Sequence, residues 1–405
     1  MHTTRTFWSV ARLTVAAAAV LVAAGCSSQH EKNKSAAVDR YHNLRSGLMY
    51  SMAQQQFAAG DLEMAQKSVK DALMVDPDHP RLLCLAGRIS LEKGQLERAW
   101  HLFDLSIQKD ARYPEAHYYK GIVDQRWQRN DEALQNYQKA YELELDNAGY
   151  LLAMAEMMIA TDRTDAALEL LTSKLDYFDQ NAGLRLAIAQ IHTLRNEHAQ
   201  AAEMYRQASI LRPEDHKLQE DLAMGLIAAG QYAEAQDVLV RLMKQSEYAQ
   251  RADLRRALAS TQVKLGRNTE ARQTLQDLTA QNAATADDWL QLAELCWGQG
   301  DNGGALAAAN RAITLEPQRH EGYLLAGMAW QKRARLDHAL KMFDRAAELA
   351  PDSAMPLILR GVALQKAGKP EAAAVAYHEA LRRQPGDERA QKLLRSVAEV
   401  DPQRQ

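Results

Sequence analysis

Few residues in this chain are arranged for chemistry. Its three cysteines, Cys26, Cys84 and Cys296, are too few for a disulfide framework. Cys84 and Cys296 read as small buried apolar residues rather than nucleophiles. The 12 histidines are scattered, and His79, His216 and His320 fall at helix ends, where solvation or capping outweighs ligation. No G-x-S-x-G nucleophile elbow, H-E-x-x-H zinc helix or P-loop occurs. Gly368-Lys369-Pro370 lacks the upstream glycine spacing and the hydroxyl of a phosphate cradle. Asp287-Asp288 opens a helix, where two carboxylates complement the dipole. Arg255-Arg256 and Arg382-Arg383 are short and read as solvated faces. The pattern predicts no catalytic residues, no cofactor, no metal and no enzyme activity.

Composition narrows the remaining classes. Lys plus Arg total 49 against 52 Asp plus Glu, a net charge of −3, so no basic excess exists to neutralise a nucleic-acid backbone. Apolar residues make up 47% but aromatic ones only 6%, and alanine is abundant, which favours close-packed helices over sheets. At 405 residues the chain exceeds one ordinary core. It must hold several domains or one array that grows by addition.

The amino terminus reads as an address. Arg5 and Arg12 precede an uncharged run, Leu13 to Ala24, which is too short to cross a bilayer as a helix. Val22-Ala23-Ala24-Gly25-Cys26 comes next, then Ser27-Ser28. This resembles the lipobox of bacterial lipoproteins, with Ala23 where leucine is usual. The resemblance implies a signal peptide over 1–25, cleavage after Gly25, and lipidation of Cys26 by a thioether-linked lipid and a further acyl chain such as palmitate. Ser27 in place of aspartate implies export to the periplasmic face of a Gram-negative outer membrane. Residues 26–45 are expected to hold the lipidated cysteine, a polar tether and an N-terminal helix, with Val38 to Leu48 capping or extending the first helical hairpin.

Self-similarity supplies the elements. In 34-residue windows from Ser46, position 8 is Ala53, Gly87, Gly121, Ala155, Ala189, Ala223, Ala259, Ala293, Gly327 and Gly361. Position 20 is alanine in all ten windows, Ala65 to Ala373, with two extra residues near Gln250-Arg251. Position 15 is glycine six times, with Gln128, Asp162, Asn196 and Ala334 in the other windows, and is expected to turn the chain back. Proline at position 32 (Pro77, Pro213, Pro317, Pro351, Pro385) stops the second helix. Small residues at 8 and 20 let two helices approach; large ones at 24, such as Phe103 and Tyr377, are expected to fill the gap to the next hairpin. Window four departs most, with Lys174 at position 27 and Asp179 in place of proline, and predicts a loose hairpin or a bend. Residues 388–405 supply a capping helix and tail, with Leu393, Leu394, Val397 and Val400 turned inward and Lys392 and Arg395 outward.

The pattern resembles the tetratricopeptide repeat, most closely in residues 60–77 and 326–351. The resemblance implies an all-α, right-handed superhelical solenoid of about ten helical hairpins over 46–387, with a C-terminal capping helix. It also implies a concave face formed by the first helix of each repeat at positions 2, 5, 9, 12 and 13. Position 9 nowhere shows the Lys/Asn pair of the carboxylate clamp of chaperone-binding repeats. Positions 5, 9 and 12 instead offer Tyr50, Phe57, Tyr118, Leu152, Leu186, Leu290, Trp297, Leu324 and Met328 as partner-binding residues, interrupted by Glu220, Arg256 and Lys264. Such a face suits a protein partner with an amphipathic or apolar segment. A lipid anchor joined to such a scaffold resembles TadD-type assembly lipoproteins of the Flp pilus, which implies a non-catalytic role with secretin or pilus components. The alternatives are a periplasmic scaffold for exopolysaccharide export or peptidoglycan hydrolases, and an accessory subunit that regulates an enzyme by docking.

Overall fold

The computed structural model describes residues 34, 37, 38, 41, 44–280 and 283–399. The expected signal peptide, Cys26 and the tail from Val400 lie outside the described residues. Regular secondary structure among the described residues is helical throughout. Two compact units divide between Ile191 and His192. The first holds α1 (44–58), α2 (Leu62–Val75), α3 (Pro80–Glu92), α4 (Leu96–Lys109), α5 (Pro114–Arg126), α6 (Asn130–Leu143), α7 (Ala148–Ala160), α8 (Thr164–Ser173) and most of α9 (Ala182–Leu194). The second holds α10 (His198–Leu211), α11 (His216–Ala228), α12 (Tyr232–Leu242), α13 (Ala252–Lys264), α14 (Asn268–Thr279), α15 (Ala286–Gly298) and α16 (Asn302–Leu315). It continues through α17 (His320–Lys332), α18 (Leu336–Leu349), α19 (Met355–Lys366), α20 (Pro370–Arg383) and α21 (Glu388–Glu399). From α2 to α8 and from α10 to α21 consecutive helices pack as neighbours, and first helices of successive hairpins also touch, as α3 does α5 and α15 does α17.

Each hairpin turns at position 15, where all ten residues have a positive φ. Six are glycines; Gln128 (61°), Asp162 (66°), Asn196 (57°) and Ala334 (58°) accept the left-handed conformation despite a side chain. The next amide then reaches back over the helix end, as Gln95 N does to Ser90 O (2.9 Å) and Lys369 N to Leu364 O (3.0 Å). Those bonds satisfy carbonyls that the helix terminus would otherwise leave open.

Inside the hairpins, positions 8 and 24 form a matched pair. A Cβ placed on Gly87 would stand 2.5 Å from Phe103 Cε1, and one on Gly121 2.8 Å from Tyr137 Cε1. Gly327 meets Phe343 and Gly361 meets Tyr377 in the same way. Glycine therefore goes with an aromatic ring, whereas Ala155, Ala223 and Ala259 go with Leu171, Leu239 and Leu275 at position 24. This corrects the expected role of position 24. Its side chain fills first the space within its own hairpin, because the missing methyl is what admits the ring, and only then reaches the next (Phe103 stacks on Tyr119 at 5.8 Å). Tyr205, which pairs with an alanine at position 8, lies against Gly225 instead.

Two local departures have physical causes. Position 27 is buried in the other nine repeats, from Ala72 to Ala380, but in window four it is Lys174. An ammonium cannot be buried unpaired, and α8 ends at Ser173 after 10 residues. At the chain's end, α21 buries Ala390 and Val397, while Leu393 and Leu394 pack half-buried against the last hairpin and Lys392 and Arg395 stay exposed. The N-terminal stretch behaves differently from a cap. Val38, Tyr41, Leu44, Leu48 and Met52 are exposed by 44 to 71%, while Ser46 and Ala53 on the other face are fully buried.

Candidate partner-binding face

The first helices present positions 5, 9 and 12 in register, so their side chains decide what the face offers. In the first unit Tyr50 and Phe57 are half-buried against the core of the first hairpin. Tyr118 is the centre of an aromatic group, 5.0 Å from Tyr150, 5.2 Å from Tyr119 and 5.5 Å from Tyr137 between ring centroids. Leu152 and Leu186 are half-buried. In the second unit Trp297, Leu324 and Met328 are half-buried, but Leu290 is only 6% exposed and belongs to the core. Most of the expected residues thus combine packing with exposure; Leu290 has almost no surface to offer.

Position 12 also serves the hairpin. Tyr137 Oη donates to Gln125 Oε1 (2.7 Å) and Tyr377 Oη to Gln365 Oε1 (2.9 Å), each bond linking positions 24 and 12 of one repeat. Phe343 has no hydroxyl, and the buried Nε2 of its counterpart Gln331 has no hydrogen-bond partner. A tyrosine at 24 with a polar residue at 12 was the sequence signal for this pairing.

Two of the charges expected to interrupt the face, Glu220 and Arg256, are used between repeats, while Lys264 stays exposed. Glu220 accepts two hydrogen bonds from Arg251 (2.8 and 3.0 Å), which hold its carboxyl below the usual range. Arg256 donates through Nε to both oxygens of Asp288 (2.8 and 3.0 Å) and through Nη2 to Ala283 O. Asp288 is 2% exposed and closes a capping box with Thr285 at the start of α15. Arg255 and Arg383 likewise are not simply solvated. Arg255 Nη2 donates to Ala249 O (2.7 Å), and Arg383 Nη1 to Ala347 O and Ala350 O at the end of α18. Open carbonyls at chain turns and helix ends attract a fork of donors.

Arg88, at position 9 of the second repeat, is used in another way. Its guanidinium carbon lies 4.9 Å from the Phe57 ring centroid and 4.7 Å from that of Tyr119. Phe57, Arg88 and Tyr119 are spaced 31 residues apart, as are Glu220 and Arg251. That spacing, one helical turn short of the repeat, marks residues that face each other across neighbouring first helices.

Two clefts flank these helices. One of about 250 Å³ is lined by Val69, Leu73, Met74, Ala86, Ile89 and Leu102, with Lys70 and Arg98 at its rim. The other, about 340 Å³, lies between α13 and α15 and is lined by Ser260, Val263, Asn268, Gln291, Glu294 and Leu295. Burial pushes the Glu294 carboxyl up. Burial also raises the Cys84 and Cys296 thiols, which keeps both protonated and unreactive. Among the described residues no group of three or more His, Cys, Asp or Glu is placed to hold a metal ion, and no helix is long and apolar enough to cross a membrane.

Comparison with protein-family models agrees with the repeat architecture. Two tetratricopeptide-repeat family models match, over residues 169–294 and 290–354. Among solved structures, the C-terminal part of a TPR repeat-containing protein from Cytophaga hutchinsonii is similar at 14% identity, covering 60% of this chain and 99% of that one (TM-score 0.49). A tetratricopeptide repeat protein from Parabacteroides merdae is similar at 14% identity, covering 70% and 98% (TM-score 0.38). MamA is similar at 17% identity, covering 43% and 93% (TM-score 0.40). No curated protein sequence matches the chain. The repeats point to a protein–protein interaction scaffold.

Proposed function

We propose that this chain, built of tetratricopeptide repeats, is a non-catalytic interaction scaffold held by lipid at the periplasmic face of an outer membrane. There it assists assembly of an envelope machine such as a Flp or type IV pilus or its secretin. The observation that carries the scaffold reading is the row of half-buried apolar side chains on successive first helices, Tyr50, Phe57, Tyr118, Leu152 and Leu186 in one unit and Trp297, Leu324 and Met328 in the other. Each is held by packing and so loses little rotamer freedom on binding, which favours capture of an apolar or amphipathic segment. The anchor and its location rest on the leader and Cys26 alone. A tethered scaffold raises the local concentration of its partner without new contacts.

Crosslinking pull-down from membranes tests both parts, with wild type, Cys26→Ala and a Tyr118→Ala/Trp297→Ala double variant. The wild type is expected in the membrane fraction with secretin or pilus components. Cys26→Ala is expected in the soluble periplasmic fraction, and a membrane-bound mutant would end the lipoprotein reading. Unchanged partner recovery by a folded double variant would end the groove reading. Recovery of polysaccharide-export proteins or peptidoglycan hydrolases instead would redirect the assignment.

A further inference from the structure

We propose that this chain forms a two-fold dimer in which the outward face of α1 packs against the same face of a second copy. Val38, Tyr41, Leu44, Leu48 and Met52 recur at intervals of three, three, four and four residues and make one apolar stripe, exposed by 44 to 71%. So narrow a stripe is a seam for pairing with one other helix. The later repeats show what covers the corresponding surface. Leu48 is position 3 of its repeat, and position 3 is buried in all nine others, from Leu82 to Pro356. The second helix of the preceding repeat lies over it: a Cβ on Gly322 would stand 2.8 Å from Ile313 Cγ1 of α16. Position 7 behaves alike, for Ile188, Leu222, Leu258 and Leu292 are buried where Met52 is 58% exposed. The first repeat thus presents, uncovered, a surface that elsewhere packs against a helix. Gln55 stands at position 10, where Ile89, Val123 and Met157 are buried, so the apolar part ends before a whole hairpin could lie on it.

Three observations select a second copy as the occupant. The last hairpin is already closed, because α21 covers it and turns Lys392 and Arg395 outward. Copies therefore have no open stacking surface to join head to tail, and the α1 face can meet only its own kind, which gives a closed pair. Charge gives no handle to an ionic partner: Arg45 is the one charged residue of α1. A lipid surface fits poorly as well. An interfacial helix needs a polar side among the headgroups, whereas the other side of α1 buries Ser46 and Ala53 and packs Tyr50 and Phe57 against the first hairpin. Antiparallel pairing centred on Leu48 sets Leu44 against Met52 across the axis. It also keeps the two Arg45 positions about 9 Å apart along the helices, so the stripe meets itself without opposing charges. A dimer of this kind carries two partner-binding faces, and it holds a partner with repeated segments more tightly than one face does.

Sedimentation velocity of the full chain at about 10 µM tests the pair. Cys26→Ala is present throughout, so that no lipid joins the copies. This chain is expected to sediment as a dimer, and its Leu48→Glu variant as a monomer of unchanged helical content, because Leu48 is exposed and its replacement disturbs no core. Cysteine crosslinking then reads the register. Leu48→Cys and the double variant Leu44→Cys/Met52→Cys are expected to form disulfide-linked dimers on oxidation, while Met74→Cys, exposed on α2, is not. Cys84 and Cys296 are buried and add no background. A monomer at that concentration overturns the inference, as does a dimer that survives Leu48→Glu or crosslinks equally through Met74→Cys. A monomer that binds phosphatidylethanolamine–phosphatidylglycerol vesicles only with Leu48 intact also overturns it, and makes the stripe a membrane surface. None of these outcomes touches the anchor or the partner-binding face, whose tests are the membrane fraction and partner recovery.

Discussion

Repeats one to four in the first unit and six to eight in the second solve the same stacking problem with different chemistry. In the first, rings meet rings: Tyr118 contacts Tyr150, and Phe57 and Tyr119 enclose Arg88. In the second, the facing positions carry ions, and Glu220 with Arg251 and Arg256 with Asp288 fasten one hairpin to the next. Charge consumed in stacking is not available to a partner. Glu220 and Arg256, expected to break the face in the second unit, are structural, whereas Lys264 stays exposed and Arg88 of the first unit meets rings rather than a carboxylate.

The comparison can be broken by substitution. Phe103→Ala removes the ring that fills its hairpin and should destabilise the first unit by about 3–5 kcal/mol, read from the urea unfolding midpoint. A loss below about 1 kcal/mol would mean the hairpin collapses onto the gap. Asp288→Ala removes a cap and both bonds to Arg256, and should cost about 2–3 kcal/mol in the second unit. Asp288→Asn should recover much of the cap. An exposed-pair value of a few tenths for Asp288→Ala would show that the staple is ornamental.

A third test transplants one hairpin type into the other. Gly87→Ala alone drives a methyl into the Phe103 ring and should cost about 1–3 kcal/mol. Combined with Phe103→Leu it reproduces the alanine–leucine pair seen at Ala155–Leu171, Ala223–Leu239 and Ala259–Leu275, so the double variant should be more stable than the sum of the two single costs. Strict additivity would refute the matched pair. Phe343→Tyr tests the link from position 24 to 12. A new hydroxyl beside Gln331 should stabilise by about 0.5–1.5 kcal/mol, and a neutral or destabilising result would show that the amide cannot turn to accept it.

The pH response should be the smallest effect and separates the units by window. Burial holds His79 and His117 below the usual imidazole range, so the first unit favours their neutral forms. The unfolded chain takes up those protons first, and stability falls as pH drops below about 6.5. In the second unit, arginine hydrogen bonds hold Glu220, Asp253 and Glu234 below the usual carboxylate range. Their contribution is present above about pH 4 and is lost as pH falls through the lowered folded values. Asp104, paired with Lys120, gives the first unit a share of that acid loss, so the distinguishing window lies between about pH 6.5 and 5. Hydrogen exchange corrected for intrinsic rates should show α3 to α6 loosening there before α11 to α15. Simultaneous loosening would remove the distinction.

Legibility depended on the reach of each signal. The repeat phase, the turn at position 15 and the irregularity of window four at Lys174 could be read from residue type at one position; that the irregularity takes the form of a helix ending at Ser173 came from the structure. The glycine–aromatic and tyrosine–glutamine pairs were also present in the sequence, but as correlations between positions 8, 12 and 24 rather than preferences at any one. Leu290 and Trp297 were indistinguishable as apolar residues on one face, yet the fold buries the first and leaves the second half-open.

The sequence by itself determined the helical hairpins, their period and the lack of a recognisable catalytic motif, because local backbone preference and one-position sterics suffice for those. Tertiary structure alone decided which charges are paired. Whether an arginine finds a carboxylate depends on a neighbour about 31 residues away, brought near only when two first helices stack. By that contact Arg256 becomes a fastener, while Arg88 meets the rings of Phe57 and Tyr119 instead of a carboxylate.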